Sequence, residues 1–190
     1  DMKPFERFEK VMLPYLMQSR AAAKRIRVWC AAASSGQEPY TLAMLLKEKG
    51  LYAQGWKIEI VGTDIDTEIL AKAKQAEYSQ FEVQRGLPIA YLMKYFTQVG
   101  DRWQLKDDIR NLVTYQPLNL LEPFAAVGQF DVIFCRNVMI YFDEPTQRRV
   151  LERMHRVLKP GGMLFVGHAE NFSESRDLFT LRGKTVYERR

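Results

Sequence analysis

The chain has 190 residues, 47% of them hydrophobic and 27% charged, which suits one globular α/β domain with a sizeable core. No apolar run approaches the roughly 20 residues of a membrane span, and residues 1–25 are charged throughout, without the apolar segment of a signal peptide. The net charge of +5 does not by itself make a nucleic-acid binder, and two cysteines and two histidines scattered singly give no metal-ligand spacing. A cytoplasmic protein with no metal and no membrane insertion is the expectation.

Phe5, Phe8, Val11, Met12, Tyr15 and Leu16 recur at helical spacing, so residues 4–23 are predicted to form an amphipathic helix covering a sheet. Arg20, Lys24, Arg25 and Arg27 at its end form the densest basic group. Such a group reads either as a solvated helix end or as a patch steering an acidic macromolecule. Residues 26–31 make the first strand, Ser34-Ser35-Gly36 a tight turn, and 39–49 a helix with Pro near its start and Gly50 past its end. Residues 56–62 form the second strand, and 66–76 a helix capped by Asp66.

The rhythm breaks between 78 and 111. Residues 88–96 suit a short helix, 103–105 and 113–116 are strand candidates, and Gly100-Asp101-Arg102 sits where a hairpin turn belongs. The expectation is a small inserted antiparallel β-subdomain at about 88–116. Residues 130–135 then form a buried strand ending at the polar pair Arg136-Asn137. An amphipathic helix (146–158), a stop at Lys159-Pro160-Gly161-Gly162 and a strand (163–167) follow, which together make a βαβ unit with parallel strands. Cys30 and Cys135, each at a strand end, read as buried free thiols. Residues 178–181 and 186–189 flank Gly183-Lys184 as a terminal antiparallel hairpin. The alternation predicts a doubly wound, mostly parallel α/β sheet.

Open α/β sheets bind ligands past the carboxyl ends of their strands. The first such turn, VWCAAASSGQEPYTLA (28–43), lacks the G-x-G-x-x-G that lets backbone amides approach a pyrophosphate. Ala32, Ala33, Ser34, Ser35 and Gly36 permit close approach, but Glu38 opens the helix. A carboxylate there suits a cationic group such as an amino-acid ammonium; equally, it is an acid favoured by the helix dipole. Asp64, past the second strand, is placed to accept hydrogen bonds from two ribose hydroxyls, or else is a turn residue beside the cap Asp66. A ribose acid beside a loop not built for phosphate points to S-adenosyl-L-methionine rather than NAD. Asn119, in QPLNLL, suits an adenine edge with Leu118 or Leu120 on the ring face, and equally suits a plain turn. Arg136, Asn137, Val138 and Tyr141, in RNVMIY, follow a buried strand and would project over the cofactor's reactive end, or else belong to a purely structural loop.

VWCAAASSGQEPY, GTDIDTEIL, FDVIFCRNVMIYFD, LKPGGMLFVGHAENF and LRGKTVYERR resemble the chemotaxis receptor methyltransferases, the CheR family, in order along nearly the whole chain. The resemblance implies a Rossmann-like class I methyltransferase domain over residues 1–190, carrying a small inserted β-subdomain. It implies methyl transfer from S-adenosyl-L-methionine to glutamate carboxylates on the cytoplasmic helices of chemoreceptors, with S-adenosyl-L-homocysteine as product. Glu38 would hold the methionine moiety, Asp64 the ribose, and Asn119 and Leu120 the adenine. Ala33, Gly36, Asn137 and Val138 would complete the cofactor pocket, with Arg136 and Tyr141 catalytic and Tyr141 closest to the methyl group. Gln37 stands where the family commonly has Glu, and Ala169 replaces a frequent Ser. A receptor C-terminal peptide on the β-subdomain is a further partner the family suggests, though the hairpin looks short here. The family's N-terminal helical domain, ending in an N-E-T-x-F-F-R-D-like stretch with an active-site Arg, has no counterpart in these residues. A piece beginning at Asp1 is therefore expected to bind cofactor but to methylate receptor poorly. The competing readings are a methyltransferase of the same fold on another substrate, and a non-catalytic receptor-docking module. Nucleic acid is not expected, since the Asn/Asp-Pro-Pro-Tyr/Phe motif of amino-methylating enzymes is missing.

Overall fold

The computed structural model describes residues 3–190. Among them are ten strands: β1 (Arg25–Cys30), β2 (Lys57–Asp64), β3 (Glu77–Ser79), β4 (Phe96–Val99), β5 (Arg102–Leu105), β6 (Val113–Pro117), β7 (Phe130–Cys135), β8 (Leu158–Val166), β9 (Phe179–Leu181) and β10 (Val186–Arg189). Seven form the main sheet in the order β6-β2-β1-β7-β8-β10-β9. The first five in that order run parallel, while β10 returns antiparallel to β8 and pairs with β9. The chain thus winds outward from β1 in one direction and from β7 in the other. Their shared border is the topological switch point, where such sheets open a crevice for ligands.

Side chains alternate across the central strands with the two-residue period of a pleated sheet. Ile26, Val28 and Cys30 of β1 and Val132 and Phe134 of β7 enter one hydrophobic cluster, while Trp29, Ile133 and Cys135 enter the other. Helix α1 (residues 3–19, wound as a π-helix over Phe8–Met12) covers the first face, with Phe8 packed on Phe134 and Phe165 at centroid separations of 5.8 and 6.5 Å. α2 (Gln37–Glu48) shares that face through Leu42, Met44 and Leu46, and α3 (Thr67–Gln75) begins where Asp66 accepts from the amides of Glu68 and Ile69. α4 (Gln80–Gln84), α5 (Ile89–Tyr95) and α6 (Asp107–Arg110) are short. α7 (Glu144–Val157) buries Val150, Leu151 and Met154 on the opposite face.

The inserted element is real but displaced from its predicted bounds. β3, β5 and β4 form a separate antiparallel sheet spanning 77–105, with the turn at Gly100 as expected. Residues 113–117, assigned to the insert by the 88–116 estimate, are instead the parallel edge strand β6 of the main sheet. Helix α7 ends at Val157, ahead of the Lys159–Gly162 stop, but that stretch is not a gap before the next strand. It lies inside β8, where the pairing with β7 shifts register between Phe130 and Val132, so the Pro and glycines are absorbed at an irregularity.

The basic group after α1 is neither a solvated helix end nor a steering patch in its two best-held members. Arg20 Nε donates to Asp131 Oδ1 at 2.7 Å and its Nη2 to the Pro160 carbonyl at 3.1 Å. The Arg27 amide donates to Asp131 Oδ2 at 2.8 Å, and the Arg27 guanidinium lies 4.4 Å from the Phe130 ring centre while donating to Glu59, Val127 and Gln129. Lys159 adds a second cation 3.4 Å from Asp131, whose side chain is fully buried. Removing the acid strands those donors, and breaking such buried pairs costs about 3–5 kcal/mol. Asp131→Ala is expected to lose about that much stability in urea titration; a loss below about 1 kcal/mol would show that the cations relax to water freely.

Candidate functional site

The turn after β1 is fixed by its neighbour strand. The Ala33 amide donates to the Thr63 carbonyl at 2.9 Å, and the Ser34 amide to Asp64 Oδ2 at 3.0 Å. Asp64 Oδ1 accepts from the Asp66 amide at 3.0 Å, so each carboxylate oxygen holds one backbone donor and keeps further acceptor capacity. Gly36 stands at φ +91°, and a Cβ there would lie 2.6 Å from Tyr115 Oη. Gly62 faces the same ring, with 2.6 Å from a built Cβ to Tyr115 Cε1. These glycines let Tyr115 pack flat over the turn. Tyr78 closes it from the insert by donating to the Ser35 carbonyl at 2.6 Å. Burial pushes the Tyr78 and Tyr115 hydroxyls up, so both stay neutral.

The turn after β7 has a different support, and sequence reasoning did not find it. Glu170 is 4% exposed and accepts five backbone N–H groups. Its Oε1 takes Asn137 and Gly167 at 2.8 and 2.7 Å, and its Oε2 takes Val138, Met139 and Ile140 at 3.2, 2.8 and 3.3 Å. Asn137 sits at φ +61°, a left-handed conformation that Asn tolerates better than most residues. A Cβ at Gly167 would collide with Asn137 Oδ1, so glycine is required there. The signal in the sequence was an acid three residues past a strand-ending glycine, inside the GHAENF motif.

Asp64, Asn119, Leu120, Asn137, Val138 and Tyr141 line one cleft of about 350 Å³ at the switch point. Leu118 adds a further apolar wall. Asn119 Oδ1 accepts from the Leu121 amide at 2.9 Å, so the turn reading holds for its oxygen, and its NH2 is the group left for a ligand. Tyr141 stands 80% exposed at the rim. Ala33 and Gly36 support the turn from behind and do not line this cleft.

Glu38 and Arg136 line a second cavity, of about 230 Å³, between α1, α2 and the insert. Arg136 Nη1 donates to Glu38 Oε2 at 3.2 Å, with side-chain exposures of 16% and 19%. Burial pushes the Glu38 carboxyl above its ordinary range, against which Arg136 and then the Cys30 thiol hold it down. Burial likewise keeps the Cys30 thiol protonated, with the Glu38 charge adding to the effect. Glu38 is therefore more than a helix-dipole acid: it ties the turn after β1 to the turn after β7 across the switch point.

The two supports are separately testable. Glu170→Ala should speed hydrogen exchange at Val138 and Met139 by about tenfold or more and lower stability by about 2–4 kcal/mol; unchanged protection would mean that the carboxylate does not hold the loop. Arg136→Ala removes an interaction that lowers the Glu38 pKa, so the Glu38 midpoint should move further up, read by carbon NMR of the carboxyl. In wild type Glu38 should take up its proton before ordinary glutamates as pH falls, and a midpoint that drops in the variant would rule out burial as the dominant cause.

The chain matches the family described as CheR methyltransferase, SAM binding domain, over residues 1–188. It is 41% identical over 187 residues to chemotaxis protein methyltransferase 1 of Pseudomonas aeruginosa, covering 95% of this chain and 67% of that protein. It is 46% identical over 175 residues to the chemotaxis protein methyltransferase of Escherichia coli, covering 89% and 60% of the two. A probable chemotaxis protein methyltransferase of Rhizobium etli is 39% identical over 188 residues, with coverage of 96% and 70%. The chain thus spans about 60–70% of the length of these relatives. Among solved structures, PKMT2 from Rickettsia typhi aligns at 18% identity with a TM-score of 0.48, over 75% of this chain and 21% of that one. On the family match along nearly its full length, the chain belongs to the CheR methyltransferase family, whose SAM-binding domain it carries.

Proposed function

We propose that this chain is the catalytic portion of a cytoplasmic protein-glutamate O-methyltransferase acting on the cytoplasmic helices of chemoreceptors. The observation that carries the proposal is the cleft in which Asp64, Asn119, Leu120, Asn137, Val138 and Tyr141 come together, in a chain whose relatives are named chemotaxis protein methyltransferases. S-adenosyl-L-methionine, when bound, supplies a methyl group on a sulfonium sulfur. The lining fits that cofactor chemically: apolar walls from Leu118, Leu120 and Val138, one carboxylate at Asp64, and no glycine-rich phosphate turn. Asp64 would hold the ribose hydroxyls with its remaining lone pairs, and Asn119 and Leu120 the adenine. Glu38, in the neighbouring cavity and shared with Arg136, is the anion offered to the amino-acid ammonium.

The acceptor needs no base. A glutamate carboxylate with a pKa near about 4.3 is ionised at neutral pH, so the protein's task is to orient it and exclude water. Alignment of that kind is worth roughly 7–11 kcal/mol. Tyr141, exposed at the rim and carried on a backbone fixed by Glu170, is placed to hydrogen-bond an incoming carboxylate. A receptor-tail peptide is the secondary partner, because β3 and β4 are both edge strands of the inserted sheet and can accept a further strand. The cytoplasmic location agrees with the absence, among the described residues, of any helix long and apolar enough to cross a membrane.

The test combines transfer of labelled methyl to receptor glutamates with calorimetry of S-adenosyl-L-homocysteine. Asp64→Ala should weaken product binding about 10–100-fold, the worth of charge-assisted hydrogen bonds to hydroxyls. Tyr141→Phe should lower kcat by about tenfold or more while cofactor affinity stays within about twofold. Loss of cofactor binding in that variant would remove Tyr141 from the orienting role. Substrate binding that falls steeply with salt and follows nucleic acid would replace the receptor reading altogether.

A further inference from the structure

A third cavity, of about 340 Å³, opens where α1, the ends of β7 and β8, and the terminal hairpin meet. Its lining includes Arg7, Arg136, His168 and Lys184, and no Asp or Glu among the described residues. Two of its donors lack acceptors. Arg7 Nη1 is buried without a hydrogen-bond partner, and so is Arg136 Nε, whose neighbouring Nη1 serves Glu38. A buried donor left unpaired costs about 1–3 kcal/mol, and more when charged, so the cavity is short of anionic acceptors. Arg7 lies against the terminal hairpin: a Cβ at Gly183 would stand 3.3 Å from its Nη1. Lys184 is the adjacent residue of the hairpin and is exposed, so it can swing onto a ligand.

The cavity adjoins the cleft through one backbone contact. Val166 and His168 line the cavity, Gly167 between them packs against Asn137, and Asn137 lines the cleft. A ligand in the cavity is therefore separated from the cleft by the contact of Gly167 with Asn137. On a helical substrate, side chains three or four residues apart lie about 5–6 Å from one another. We propose that this cavity is a carboxylate subsite for a second acidic side chain of the substrate, with Arg7 and Lys184 as its recognition residues. The inference rests on the function proposed above and adds a specificity device to it: the enzyme selects glutamates that have an acidic neighbour.

The test uses two fluorescent helical peptides, one with a reactive Glu and a second Glu, the other with Gln in the second place. Binding by anisotropy and methyl transfer are measured on wild type, Arg7→Gln and Lys184→Gln, alongside calorimetry of S-adenosyl-L-homocysteine. Wild type should favour the doubly acidic peptide by about tenfold in Kd, and each variant should erase most of that preference with product affinity unchanged. The exposed Lys184 keeps the test valid if Arg7→Gln unfolds. Equal binding of the two peptides by wild type, or preference retained in Lys184→Gln, overturns the subsite. Variants that weaken product binding instead assign the cavity to the cofactor's own carboxylate and overturn it equally. Selective binding without methyl transfer, with transfer also absent when the chain is extended by the family's N-terminal helical domain, would leave the subsite standing and sink the underlying reaction, whereas transfer without selectivity does the reverse.

Discussion

Five backbone amides of two separate turns converge on the oxygens of Glu170, and the active end of the sheet depends on that convergence. A chain that leaves a buried strand without entering a helix at once carries a run of unpaired N–H groups into an apolar neighbourhood. Left unmet, each costs of the order of a hydrogen bond. One buried carboxylate answers four of them in succession and adds Gly167 from the adjacent strand, much as an anion sits in a nest of amides. Position at the cleft is thus set through the backbone as well as through the packing of Met139 into the core. That is why Asn137 can persist at positive φ beside the exposed Tyr141.

The opposite end of the same strand is pinned by a second buried acid, Asp131, in a different chemical manner. There the charge is met by Arg20, Lys159 and one backbone amide, all contacts that join α1, β1 and β8 to β7. Between the two acids, Val132 and Phe134 lock one face and Ile133 the other, with Phe134 stacked on Phe165 at 4.7 Å. Neither acid interacts with the other end. Asp131 joins the layers of the sheet through cations, whereas Glu170 holds two turns together through their amides. β7 is consequently a rigid bar with a structural foot and a chemical head.

Features governed by local periodicity were legible in the sequence. The strands beginning near residues 26 and 130, the cap at Asp66 and the terminal hairpin follow from two-residue and 3.6-residue patterns and from capping chemistry. What depended on distant partners was not. β3 has three residues, too few to show a period, and β6 is recognisable as part of the main sheet only through its pairing with β2. Arg20 and Arg27 read as a charge cluster because Asp131 lies more than a hundred residues away. Asp64, Asn119 and the 136–141 loop were singled out because ligand sites of this sheet type recur at strand ends, and residues of all three line one cleft. Glu38 was found for the same reason, but its pairing with Arg136, 98 residues on, moves it into a neighbouring cavity. Glu170 escaped because its place after a strand-ending glycine does not by itself show which amides it collects.

That pairing bears on how a carboxylate can be methylated beside an arginine. A free guanidinium would bind an incoming carboxylate as a bidentate ion pair and draw off the electron density that must attack the methyl group. Arg136 is already engaged by Glu38, so its field at a second carboxylate is partly cancelled. The carboxylate would then be attracted without being neutralised, leaving the Tyr141 hydroxyl to orient it by a weaker, directional bond. Burial that raises Glu38 works in the opposite direction, because a protonated Glu38 would no longer cancel the charge of Arg136. The balance between a buried acid and its arginine thus sets how much positive charge the proposed acceptor meets, while Arg136 Nε stays buried without an acceptor.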